Sequence, residues 1–261
     1  MYINTNRLTE KKDDSVIDSY VIIKTMALIL NIETSTAVCS VSLGKDGELL
    51  AYKENKEGMN HATHLTVFID SILKENQLKP VDLDAIAVSM GPGSYTGLRI
   101  GVSTAKGICY GSNRPLIAIS TLQAMTAPLL KNEAVISQLG DPESSIFCPM
   151  IDARRMEVYT AFFSYKNEEI RETTAEIIDG ESFASDLDKS EIVFFGDGSA
   201  KCQSSLQSQN AIFVSDITPT ALGMIQLSEA KFNDGAFEDV AYFEPFYLKD
   251  FVATTPKKNI F

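Results

Sequence analysis

The chain has 261 residues, 44% apolar and 22% charged, which suffices for one large or two modest domains with a real core. A formal charge of -12 argues against a chain that grips a nucleic-acid backbone unaided, so any nucleic-acid role should be indirect. No apolar run approaches a membrane span, and Cys39, Cys109, Cys148 and Cys202 form no C-x-x-C pair, which fits packed, reduced thiols in a cytoplasmic protein.

Residues 1–25 are polar and read as a tail. Met26 stands directly before the first clear strand, so translation is expected to start there and the tail to be an artefact of start assignment. Strands are predicted at 27–32, 38–43 and 48–52, joined by short turns into an antiparallel meander. A helix over 61–76 carries the stripe Leu65, Phe68, Ile69, Ile72 and Leu73. A strand at 85–89, a helix over 96–111, a strand at 116–119 and a helix over 121–130 complete the first half.

The second half repeats this order more faintly, with strands at 147–151, 157–165 and 169–178, a short helix near 181–187 and a strand at 192–195. A helical stretch follows Ser199, and a last helix is predicted over 219–232, with Ala221, Ile225, Leu227 and Ala230 on its buried side. The expected fold class is α/β: two tandem βββαβα domains with mixed sheets flanked by helices, bounded at 26–120 and 121–261. That layout resembles the actin, hexokinase and Hsp70 ATPase (ribonuclease H-like) superfamily, which implies a nucleotide site between the halves.

Between the 85–89 strand and its helix lies Gly91-Pro92-Gly93-Ser94-Tyr95-Thr96-Gly97-Leu98-Arg99-Ile100-Gly101. The spacing G-x-G-x-x-x-G matches neither the dinucleotide fingerprint nor the phosphate loop, so a tight turn with a close-packed helix is the better reading. Along that helix Gly97, Gly101, Ala105 and Ile108 form one row, with Leu98, Val102 and Cys109 beside it. Ile100, Thr104, Gly107 and Gly111 form a second. A helix so smooth is expected to pack on two sides, one of them a neighbouring helix or a partner molecule.

A phosphate-cradling cleft needs an acid followed by glycine and hydroxyls in the first turn of each half. Glu33, Thr34 and Ser35 supply acid and hydroxyls without the glycine, Asp152 is followed by Ala153-Arg154-Arg155, and Gly196-Asp197 is the more nucleotide-like turn. His61 and His64 stand at i and i+3 with no glutamate between, so no zincin pair forms, and no G-x-S-x-G elbow occurs. The chain reads as an enzyme fold lacking its catalytic parts, with no catalytic residue and no metal ligand assigned.

Ile32-Glu33-Thr34-Ser35, His61 at the head of the first long helix, the glycine block, Asp152-Ala153-Arg154-Arg155 with Glu157-Val158-Tyr159, and Pro245-Phe246-Tyr247-Leu248 together resemble the TsaB (YeaZ) family. The match runs over about 26–249. The resemblance implies a bacterial cytoplasmic protein of tRNA threonylcarbamoyladenosine synthesis, a non-catalytic paralogue of the TsaD transferase. It also implies dimerisation with a TsaD-like catalytic subunit through the first two long helices. On this sequence that interface takes in His61, His64, Leu65, Phe68, Gly97, Leu98, Gly101, Val102 and Ala105. A TsaE-like ATPase joins the complex, tRNA is met only through it, and the chain alone is open to homodimer formation. No cofactor is assigned to the chain by itself, with ATP admitted at the complex interface. Metal-dependent transfer, which TsaD-like chains support with H-x-x-x-H and a distant aspartate, should reside in the partner. Peptidase chemistry, which an old M22 label suggests, has no support in these residues. The alternative is an independent ATP-dependent kinase or ATPase with Glu33, Asp152 and Asp197 near the phosphates.

Overall fold

The computed structural model describes residues 27–58 and 60–249, so the expectation for the tail and for Met26 lies outside the described residues. β1 (Leu28–Glu33), β2 (Cys39–Lys45) and β3 (Glu48–Asn55) form the expected meander, followed by α1 (His61–Glu75) and a short 3-10 turn at Pro80–Asp82. β4 (Ala85–Gly91), α2 (Tyr95–Ser112), β5 (Leu116–Ser120), α3 (Thr121–Leu129) and a single turn, α4 (Glu133–Ile136), come next. The second half holds β6 (Ile146–Asp152), β7 (Glu157–Phe163), β8 (Glu169–Ile177), α5 (Ala184–Leu187), β9 (Ile192–Phe195), α6 (Ser199–Cys202), β10 (Ala211–Val214) and α7 (Ile225–Asn233).

The two sheets repeat one plan. The first runs β3-β2-β1-β4-β5, antiparallel through β1 and β2 and parallel from β1 to β4 and β5. The second runs β10-β9-β6-β7-β8 with the same senses. Each is therefore a mixed five-stranded sheet built as βββαβαβ, one strand longer than the expected βββαβα, and the two repeat the tandem actin-like, ribonuclease H-like fold.

Strand periodicity explains why each sheet is covered on both faces. In β1, Leu30 and Ile32 join the core under α1 and α2, with Leu65, Ile69, Ile72 and Val102, while Ile29 turns to the opposite core with Ala85, Ile117 and Met224. In β6, Phe147 and Ile151 pack with Met125 and Leu129 of α3, while Cys148 and Met150 pack with Phe183, Phe194 and Leu187. All four cysteines are free and buried, and burial pushes Cys39 up to about 11 and Cys109 up to about 12, which leaves them as unreactive thiols.

Three expectations change. The helix predicted over 219–232 begins only at Ile225; residues 221–224 form a turn in which Ala221 is tied to Ser40 and Ser42 and Gly223 lies against the carbonyl of Ala124. Its buried residues are Ile225, Ser228 and Glu229, whereas Ala230 is exposed. The helix predicted near 181–187 shrinks to one turn after Phe183, whose φ of 59° breaks helical geometry. β10 was not expected, since Ala211-Ile212-Phe213-Val214 is too short to signal a strand without its neighbour β9.

The described residues after β10 leave the second sheet. α7 packs on β5, β1, β2 and β3 of the first. Ala221 accepts from Ser42 Oγ and donates to Ser40 Oγ. Beyond α7, residues 238–249 run back along α2 as a strap: Glu238 N–H donates to Leu116 O, Lys106 Nζ donates to the carbonyls of Ala241 and Phe243, and Phe246 N–H donates to Met90 O at 2.7 Å.

Candidate functional site

The glycine turn and the loop after β1 are built as one unit. Ser94 caps α2 by accepting from Gly97 N–H, its own N–H donates to Ser35 O at 2.6 Å, and Thr34 Oγ1 donates to Gly97 O at 2.9 Å. A methyl group placed on Gly93 would run into Ser35, and on Gly97 or Gly101 into Thr34. These glycines are needed because the loop lies directly on the helix surface. Gly91, at φ +112°, meets the carbonyl oxygen of Phe246 in the same way, 2.8 Å from where its Cβ would be.

The acid of that loop is turned inward. Glu33 is fully buried, and its Oε1 accepts from Ser35 N–H at 2.6 Å and Ser89 Oγ at 3.0 Å. Burial pushes its carboxyl above the usual range despite those bonds. The Ser35 N–H, which an anion cradle needs, is thus spent on Glu33. His61 is buried at the head of α1 and donates from Nε2 to Thr36 O at 2.8 Å; burial lowers its pKa, and its Nδ1 has no partner among the described residues. His64 instead stacks on Phe68, with ring centroids 5.5 Å apart. The two histidines do not converge, and no group of three metal-ligating side chains occurs among the described residues.

The corresponding turn of the second half is an ion-pair network. Asp152, at the end of β6, accepts from Arg154 N–H at 2.8 Å and pairs with Lys201, which also donates to Glu157 O. Partial burial works against ionisation of Asp152, but Lys201 and the Arg154 N–H outweigh it and hold the carboxyl below its usual value. Asp197 accepts from Asp152 N–H at 3.0 Å, and burial pushes its own carboxyl upward. Gly196, at φ +103°, is forced by the approach of Met150 O. Glu33, Thr34 and Ser35 therefore form one loop and Asp152, Gly196 and Asp197 another; in the first, Glu33 Oε2 and Ser35 Oγ are buried without a hydrogen-bond partner among the described residues.

The expected interface residues fall on two sides of their helices. His61, Leu65, Gly97, Leu98, Gly101, Val102 and Ala105 are buried inside the domain; His64 and Phe68 are half-buried. The outward line of α2 is instead Thr96, Arg99, Ser103, Gly107, Tyr110 and Gly111, with Ile100 half-buried at its edge and α1 presenting Thr63 and Val67. Tyr110 is 88% exposed and Val67 59%. Nothing lies within 4 Å of where a Cβ would sit on Gly107 or Gly111. Sequence periodicity separated the Gly97, Gly101, Ala105 and Ile108 row from the Ile100, Thr104, Gly107 and Gly111 row but not which faced out; of the second row, Gly107 and Gly111 are exposed and Ile100 and Thr104 half-buried.

A family model described as "TsaD: tRNA N6-adenosine threonylcarbamoyltransferase" matches residues 55–256. The tRNA threonylcarbamoyladenosine biosynthesis protein TsaB of Escherichia coli is 29% identical over 86% of this chain and 96% of its own. The Bacillus subtilis protein of the same name is 34% identical over 53% of this chain, and that match spans only 56% of the relative's length. Among solved structures, YeaZ from Pseudomonas aeruginosa superposes with a TM-score of 0.69 at 23% identity, over 85% of this chain and all of that one, which supports the fold.

Proposed function

From a chain that belongs to the TsaD family, within its TsaB (YeaZ) group, we propose a subunit of tRNA threonylcarbamoyladenosine synthesis that docks a TsaD-like transferase and activates it without catalysing a step itself. The observation that carries this reading is the outward row of α2. Gly107 and Gly111 sit inside a helix, where glycine costs about 1 kcal/mol relative to alanine. They allow no close approach within the chain. Small residues on an exposed helix face reward the approach of another backbone, so the docking surface is Thr96, Ile100, Ser103, Gly107 and Gly111 with Thr63 and Val67 of α1. The inward residues of the same helices support this face from behind.

The closed turns fit an accessory role. Ser35 N–H serves Glu33, and Lys201 holds Asp152, so both groups that would position a nucleotide's phosphates and metal are engaged within the chain. ATP at the interface with the partner, a TsaE-like ATPase as third component, homodimer formation when the partner is absent, and a cytoplasmic location complete the proposal. Among the described residues no helix is long and apolar enough to cross a membrane.

The test is reconstitution of threonylcarbamoyladenosine on tRNA from threonine, bicarbonate and ATP, using the adenylate-forming enzyme, the TsaD-like and TsaE-like subunits, with and without this chain. Modification should require the chain and should fail with Gly107→Glu, while the variant melts like the wild type. ATP turnover by the purified chain alone, lost on Glu33→Ala or Asp152→Ala, would instead establish the independent-enzyme alternative.

A further inference from the structure

Between β6 and β7, Arg154 and Arg155 both adopt left-handed backbone, at φ 72° and 51°, and both side chains are exposed. Two consecutive non-glycine residues in that region are strained, and nothing inside the chain repays the strain through their side chains. Neither guanidinium enters a hydrogen bond or ion pair with any described residue. The nearby acids are already committed: Asp152 to Lys201 and to the Arg154 backbone, Glu157 to Lys249, and Asp197 to the Asp152 N–H. The field of Arg154 reaches Asp152, but that carboxylate is shared with an ammonium.

The turn thus gathers Arg154, Arg155, Lys201 and Lys249 around Asp152, Glu157 and Asp197, and with Lys201 and Lys249 paired to the first two it leaves both guanidinium groups without an ion pair in a chain whose formal charge is -12. It is also exposed at Asp152, Arg154 and Arg155, and neither the cavity beside Asp46 and Glu229 nor the one beside Leu130 and Tyr165 borders it. Planar guanidinium forks on an open turn suit phosphate oxygens of an extended polyanion.

We propose that Arg154 and Arg155 contact the sugar–phosphate backbone of the tRNA that the complex modifies. The contact rests on the functional reading above, which brings tRNA to the complex. It sharpens the expectation of an indirect nucleic-acid role: the chain as a whole repels RNA, while this one turn engages it once the partner has placed it.

The test is tRNA binding by the complex of this chain with its TsaD-like partner, titrated against salt, and by the chain alone. Arg154→Glu with Arg155→Glu should co-elute with the partner as wild type does, yet bind tRNA about tenfold more weakly, with the log–log salt slope shallower by about 1.5. Arg154→Lys with Arg155→Lys should keep most of the slope. Lys166→Glu with Lys189→Glu makes the same charge change at the opposite end of the sheet and should leave affinity unaltered. Should the glutamate pair unfold the chain, Arg154→Gln with Arg155→Gln carries the same test. Unchanged affinity and slope, equal loss in the Lys166 and Lys189 control, or loss of partner co-elution with tRNA binding intact would each overturn the proposal. The last outcome would assign the arginines to a protein contact. Failure of the wild-type chain to co-elute would overturn the functional reading, and with it the tRNA contact that rests on it, whereas wild-type co-elution with unchanged tRNA binding by the glutamate pair would overturn the contact alone.

Discussion

The two ends of α2 use the same residue for opposite purposes. Gly97 and Gly101, in its first half, are buried against Thr34, where any side chain would strike the loop. Gly107 and Gly111, in its second half, are exposed and face open space. A glycine that an internal contact demands and a glycine that no internal contact demands look identical in sequence. Only the first is explained by the fold; the second calls for a cause outside the chain.

Substitution should separate them, and the largest effect belongs to the buried set. Gly97→Ala drives a methyl into the Thr34 carbonyl, and chemical denaturation should show a loss of about 2–4 kcal/mol, because backbone on both sides must move. An equally stable Gly97→Ala chain would break the contrast. Gly107→Glu should leave unfolding nearly unchanged but weaken co-elution with a TsaD-like subunit at least about tenfold, about 1.4 kcal/mol of binding. Gly107→Ala should go the other way from Gly97→Ala and stabilise the isolated chain by about 0.5–1 kcal/mol, as alanine does at an unstrained, exposed helix position.

The loop under the buried glycines also predicts a pH dependence. Burial raises the folded-state pKa of Glu33 above its ordinary 4.5, so its contribution to stability is fully present below that value and is lost as pH rises through the folded value. Wild type should therefore lose stability relative to Glu33→Gln as pH rises above 4.5 in urea titrations. A constant difference would mean that the carboxyl is not held in its neutral form. His61 works in the opposite sense: burial depresses its pKa, so its contribution is present above 6.5 and is lost on acidification. The smallest effect is expected at the second turn. Lys201→Met removes a partly exposed pair with Asp152 and should cost under about 1 kcal/mol in thermal unfolding.

The order of strands and helices was legible because nearly continuous apolar runs mark β1, β4 and β6 and a 3.6-residue stripe marks α1 and α2. What escaped was short or held by distant contacts. β10 exists through β9, the turn ahead of α7 is tied to Ser40 and Ser42 through Ala221, and α4 is a single turn capped by Asn132. At the site, the missing cradle glycine beside Glu33 was readable, and the closed loop agrees with it. The direction each face of α2 takes was not readable, since Gly97–Gly101 and Gly107–Gly111 differ only in what lies opposite them. The strap's grip on the glycine turn was likewise invisible: Phe246 and Met90 are far apart in the chain, and a single backbone hydrogen bond leaves no mark on residue type.

The way α7 and the strap return to the first sheet sets an order of manufacture. During synthesis β1 to β5 leave the ribosome long before Ala221, Met224 and Ile225, which cover the face holding Ile29 and Ile117 and complete the bonds of Ser40 and Ser42. The glycine turn waits longer still, for Phe246 and Tyr247. The N-terminal half, made first, is therefore finished last, and a chain cut short before residue 220 presents an unclosed apolar sheet rather than a smaller version of the same protein.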